Sequence, residues 1–151
     1  MDTVNIMLRW THVAAVIIAV GGSFFLRFIL LPVLSGLPDE AQASTRTAVI
    51  ARWKMVLRLC IVLILGSGLY NYMIVTYPAH RGQATYHMLL GIKIMLALAV
   101  FTIAEGLVGK APPFAMMRAN PRRWLAINLL LAAAIVAISS YVKFLPVVSH
   151  P

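Results

Sequence analysis

Four long apolar stretches, separated by short polar or turn-forming segments, organise this chain. They cover residues 13–34, 59–77, 88–108 and 124–142; the first holds Arg27 near its end, and the third is interrupted at Lys93 and Glu105. Each approaches the ~20 residues that an α-helix needs to cross the hydrocarbon of a bilayer. Between them lie Ser35-Gly36-Leu37-Pro38-Asp39, then 78–82, then 109–121, all rich in the glycine and proline that end helices. The pattern predicts an all-α fold, an integral membrane up-down four-helix bundle in one domain spanning 1–151, with helices near 4–34, 50–77, 84–108 and 122–145. Short connections make consecutive helices antiparallel neighbours. The first and third helices then run parallel and sit diagonally across the bundle.

Composition supports this picture: 62% of the 151 residues are hydrophobic and 11% charged, against roughly 25% charged in a soluble domain. The expected surroundings are therefore a lipid bilayer. The first apolar run is too long for a cleavable signal peptide and lacks a small-residue cleavage site. The lone cysteine, Cys60, excludes an internal disulfide and a multi-cysteine metal site. A net charge of +9 would suit a nucleic-acid partner, but the basic residues fall at helix ends and loops, so no nucleic acid is expected. Their distribution sets topology instead. Arg46, Arg52 and Lys54 flank the first loop, and Lys110, Arg118, Arg122 and Arg123 the third, while the second carries Arg81 alone. The positive-inside rule puts loops one and three in the cytoplasm and both termini outside, as in a bacterial inner-membrane protein with a periplasmic N-terminus.

On this topology His12, His80, His87 and His150 all lie toward the outer face. His12 opens the first apolar run and His87 the third, which predicts two imidazoles at similar depth on diagonal helices. Such a pair can ligate the iron of a haem from both sides. Ala15, Ala19 and Ser23 follow His12 on its face and Gly91 follows His87, leaving room for a flat macrocycle; small residues serve equally to pack membrane helices closely. His80, in a short loop, and His150, in the tail, are expected to be solvated.

Lys93 lies about two turns deeper than His87, with no acidic residue at its depth. A lone lysine there costs ~2.5–3.5 kcal/mol, so it is deprotonated, reaches to the interface, or meets something that is not protein: a haem propionate, a haem iron or a substrate carboxylate. Glu105, Arg27 and Arg58 share a depth near the cytoplasmic ends of their helices. They predict one buried ion cluster that fixes helix register.

The stretch Arg9-Trp10-Thr11-His12, followed after eight residues by Gly21-Gly22-Ser23-Phe24-Phe25, resembles the first helix of the copper-resistance protein D (CopD-like) family. Thr85-Tyr86-His87-Met88-Leu89-Leu90-Gly91-Ile92-Lys93 resembles that family's threonine–tyrosine-to-lysine signature. The HemJ-type membrane protoporphyrinogen oxidases are similar in the same places. Their helix-one histidine, the arginine ending that helix and their helix-three lysine fall on His12, Arg27 and Lys93, and in that family the histidine and lysine are linked to haem b. Two departures stand out: the tryptophan before the paired glycines is absent, with Ala19 near its place, and His87 stands where the copper family has glycine.

The expected function is a haem b-binding membrane protein, a small cytochrome for electron transfer or haem handling, ligated by His12 and His87 near the outer face. Arg9, Arg81, Lys93 and Lys143 are the expected propionate partners. A quinone or a redox protein is the compatible electron partner, in a monomer or a homo-oligomer. The alternatives are a copper-handling protein using Met7 and Met88 beside the histidines, a HemJ-like porphyrinogen oxidase gripping propionates with Lys93, and a cofactor-free assembly subunit.

Overall fold

The computed structural model describes residues 3–76 and 83–143, and every element among them is helical. Helix α1 spans Thr3–Phe25, passes through a π-helical turn at Leu26–Leu30 and ends in the short α2, Leu31–Leu34. Pro32 explains the π turn. It has no N–H to give the fourth carbonyl before it, and its ring would strike that carbonyl. The Leu31 N–H bonds to the Leu26 carbonyl instead, five residues back, which widens the turn. A tight reversal follows, closed by Gly36 N–H to Val33 O at 3.1 Å and Leu37 N–H to Leu34 O at 3.1 Å.

Helix α3 spans Asp39–Tyr70 and continues through a second π segment, Asn71–Thr76. It begins about a dozen residues before the predicted start near 50, because 39–53 is a charged helical extension. Pro38 precedes it, and Asp39 and Glu40 sit in its first turn, where acidic side chains oppose the positive end of the helix dipole. Helix α4 spans Ala84–Val108; a 3-10 turn at Pro112–Phe114 and the five-residue α5, Ala115–Ala119, occupy what the sequence presents as a plain loop. Helix α6 spans Pro121–Lys143.

The packing is cyclic. α1 lies on α3, α3 on α4, α4 on α6 and α6 on α1, so α1 and α4 face each other across the centre. Loops one and three meet at one end. Arg46 Nη2 donates to the Arg118 carbonyl at 3.4 Å, and Arg122 Nη2 to Leu31 O at 3.3 Å and Ser35 Oγ at 3.2 Å. Arg118 Nη1 reaches Ala111 O at 2.9 Å. The basic residues at this end thus also satisfy carbonyls left open where helices stop.

The interior mixes small side chains with leucines such as Leu26, Leu34, Leu57 and Leu125. Ala15, Ser23, Ser67, Ala104, Gly106 and Ala132 are buried, while Ile17 (65% exposed), Val62 (66%) and Leu130 (70%) point outward. A helical bundle with large apolar side chains on its outside is suited to lipid. Among the described residues, three helices are long and apolar enough to cross a membrane, Thr3–Leu34, Ala84–Val108 and Pro121–Val142. The second predicted run is not among them. Its helix α3 carries Arg46, Arg52, Lys54 and Arg58 before its apolar half begins.

Candidate functional site

His12 sits on the inner side of α1, where it meets α3. Its Nδ1 lies 2.9 Å from Ser67 Oγ. The Ser67 hydroxyl donates back along its own helix to the Leu63 carbonyl, so its proton is already committed. The imidazole must then donate from Nδ1–H to the Ser67 oxygen. The Ile64 carbonyl is a further partner of the ring, so α3 holds the imidazole as second-shell partners hold ligating histidines. Gly68 permits the close approach: a Cβ there would stand 3.3 Å from His12 Cε1, tighter than an ordinary contact. The sequence marks Ser67 and Gly68 only as small residues. Their role beside His12 is visible once α1 lies on α3.

Lys93 is half-buried on α4, the helix that faces α1 across the bundle. Helix register sets its depth. The Arg58–Glu105 pair aligns α3 with α4, and the His12–Ser67 bond aligns α1 with α3. Ser67 lies nine residues outward of Arg58, about 13 Å at 1.5 Å per residue. The matching level on α4 is Leu96. Lys93 is three residues beyond it and His87 nine, about 4 and 13 Å. His12 therefore shares its depth with Lys93, and the matched depth expected for His12 and His87 is not what this register gives. His87 stacks edge-on against Tyr86, ring centroids 6.0 Å apart at 89°.

The small residues below His12 have a different use from the expected one. Ala19 packs against the core formed by Leu57, Ala104 and Val108 and so brings helices together, whereas Gly91 is exposed and a Cβ there would meet nothing within 4 Å. Arg9 is exposed in the N-terminal part of α1, one turn before His12. Arg81, His80 and His150 lie outside the described residues, as does the side chain of Lys143. Met7 (64% exposed) and Met88 (59%) face outward. Among the described residues, no three His, Cys, Asp or Glu side chains come together.

The expected three-member ion cluster is a two-member pair. Arg58 Nε lies 3.1 Å from both Glu105 Oε1 and Oε2, and Nη2 also reaches Oε1. The two side chains are 53% and 36% exposed, so the pair lies on the outer surface of the α3–α4 seam. Arg27 is not part of it. The π turn redirects its side chain, its Nε is buried without a hydrogen-bond partner among the described residues, and its guanidinium lies 5.2 Å from the Phe28 ring centroid. Glu105→Gln is expected to lower the unfolding temperature in detergent, and the reversed pair Arg58→Glu with Glu105→Arg to recover it. An unchanged melting curve for Glu105→Gln would show that the pair does not hold the seam.

A second interior polar spot escaped the sequence reading. Asn128 on α6 is 4% exposed, and its Oδ1 has no hydrogen-bond partner among the described residues. It borders a cavity of about 20 Å³ shared with Ser23, Leu57 and Phe101. No signal in one sequence separates such an asparagine from a solvated one.

No known protein family, curated protein or solved structure matches the chain.

Proposed function

We propose that this chain is a haem b-binding integral membrane protein whose primary iron ligand is His12. The observation that carries the reading is the anchored imidazole: Nδ1–H held by Ser67, with Lys93 at a similar depth on the helix that faces α1 across the bundle. The donor set fits haem iron, which takes histidine axially with its outer nitrogen fixed by a hydrogen bond. When bound, haem would supply one-electron redox chemistry. The chain's own residues do the rest. Ser67 fixes the His12 tautomer. Lys93, once deprotonated, offers a second nitrogen ligand, and in its charged form a propionate partner. Arg9 offers a further cation near the outer end. A one-electron carrier exchanges electrons with a quinone or a redox protein, and either is the proposed partner class.

Four helices would cross the bilayer. The apolar half of α3, 59–70, continues through Asn71–Thr76 and completes the set begun by the three longer apolar rods. The charged extension 39–53 would lie in the cytoplasm with loop three, where the Arg118 carbonyl accepts from Arg46. With Cys60 replaced by alanine and a single cysteine introduced at Arg118, a membrane-impermeant thiol reagent should label inside-out vesicles and leave intact cells unlabelled. Labelling of intact cells would reverse the orientation.

Porphyrinogen oxidation is the second reading, favoured because Lys93 lies nearer the depth of His12 than His87 does, and the HemJ resemblance points to that histidine and lysine. Colour tests the main proposal. The purified protein should show a Soret band and a sharp reduced α-band with one haem b per chain. A colourless preparation from haem-replete cells that gains no Soret band on adding haemin would overturn it.

A further inference from the structure

We propose that the α3–α4 seam is a binding site for one anionic phospholipid, its headgroup at Lys54 and Arg58 and one acyl chain along the groove beyond them. The groove has a volume of about 550 Å³ and runs from the Arg58–Glu105 pair past Ile61 and Phe101 to Leu65 and Leu98. Its rims are apolar and outward-facing: Val62 is 66% exposed, Leu65 48% and Leu98 47%. Thr102, the neutral polar side chain on it, has already spent its hydroxyl proton on the Leu98 carbonyl at 2.8 Å. An apolar furrow of this volume lies in the range of ligand sites.

Dimensions and charge identify the occupant. From Arg58 to Leu65 is seven residues, about 10 Å of helix, within the ~15 Å of hydrocarbon that one leaflet provides. Lys54 lies one turn beyond Arg58, toward the loop end, and its charge acts on Glu105. Two cations and one carboxylate leave the mouth with a net charge of +1, at the end where the headgroup layer lies. A phosphate with no cationic amine of its own complements that mouth; phosphatidylcholine brings a compensating positive charge. Basic pockets between membrane helices on the cytoplasmic side take anionic headgroups in this way. The site rests on the membrane reading above and needs no haem.

The full chain, reconstituted into vesicles of phosphatidylcholine with one part in five phosphatidylglycerol, tests the site by native mass spectrometry of the detergent-extracted protein. Failure to insert into the vesicles would remove the membrane reading itself. Given insertion, the retained lipid should be one molecule per chain. Phosphatidylglycerol should be enriched about fivefold over its bulk share, the ratio that one net charge near the surface provides. Lys54→Gln should bring the enrichment to about one, since the mouth is then neutral. Leu65→Trp or Val62→Trp should fill the furrow and lose the retained lipid of either headgroup while keeping the charges. Equal retention of the two lipids by the unaltered chain, or an enrichment that survives Lys54→Gln, overturns the proposal. So does a lipid-free dimer, which would make a second copy the occupant.

Discussion

His12→Ala is expected to yield protein without haem, and Ser67→Ala protein that binds haem ~10–100-fold more weakly, the usual cost of losing a second-shell partner. The alanine at 12 removes the Nε2 ligand. The alanine at 67 keeps the imidazole and loses the oxygen that holds Nδ1–H at 2.9 Å, so the ring is free to turn. Lys93→Ala separates the two possible second ligands. With Lys93 trans to His12, its loss should convert a low-spin, six-coordinate iron into a five-coordinate one that binds carbon monoxide, while His87→Ala leaves the spectrum low-spin. The opposite result, low-spin iron in Lys93→Ala and a five-coordinate or haem-free His87→Ala, would restore the bis-histidine arrangement and require α4 to slide by about 13 Å relative to α1, nine residues at 1.5 Å each. Helical phase sharpens the choice. Residues 87 and 93 lie about 120° apart around one helix, so the two groups do not serve the same iron from the same side.

What could be read from the sequence and what could not divides along helix starts. The apolar runs marked the all-helical class and the three long apolar helices, and the basic loops the end at which they meet, because both depend on composition over many residues. Depth was misjudged because it was measured from the start of each apolar run. Helix α1 begins at Thr3 and α4 at Ala84; His12 is nine residues into its helix and His87 is three into its own. The same reason hid the early start of α3, where a charged helix carries no hydrophobic signal. The pairing of Arg58 with Glu105 was legible from depth alone. The exclusion of Arg27 was not, since it follows from the π turn at Leu26–Leu30 that rotates the side chain away. Pro32 is the visible signal for that turn. Ser67 as the imidazole's acceptor depends on which face of α3 meets α1, and a stretch apolar on nearly all sides does not declare its inner face.

Gly22→Ala should destabilise the bundle by about 1–3 kcal/mol, the usual cost of overpacking, and it should do so through one contact. A Cβ on Gly22 would fall within the ring of Trp53, whereas one on Gly21 would meet nothing within 4 Å. The two neighbouring glycines are therefore an internal control. Helix propensity is improved equally at both positions by alanine, so a difference between the variants reports packing and nothing else. Trp53 is an indole, rigid and large, packed beside the Leu57, Ala104 and Val108 core, and it can move aside only by opening the α1–α3 contact. Trp53→Leu should cost stability alone, through lost burial, yet relieve much of the penalty of Gly22→Ala. The double variant should show a favourable coupling of about 0.5–3 kcal/mol, as expected for side chains in direct contact. Thermal unfolding in detergent measures all four proteins. The consequence reaches the haem site, because the interface that Trp53 closes at one end seats His12 on Ser67 and Gly68 ten residues further out. Gly22→Ala should accordingly retain less haem than Gly21→Ala under the same washing. Equal melting temperatures for the two glycine variants would mean that α1 and α3 do not approach as closely as the overlap of Gly22 with Trp53 requires, and the seating of His12 against α3 would fall with them.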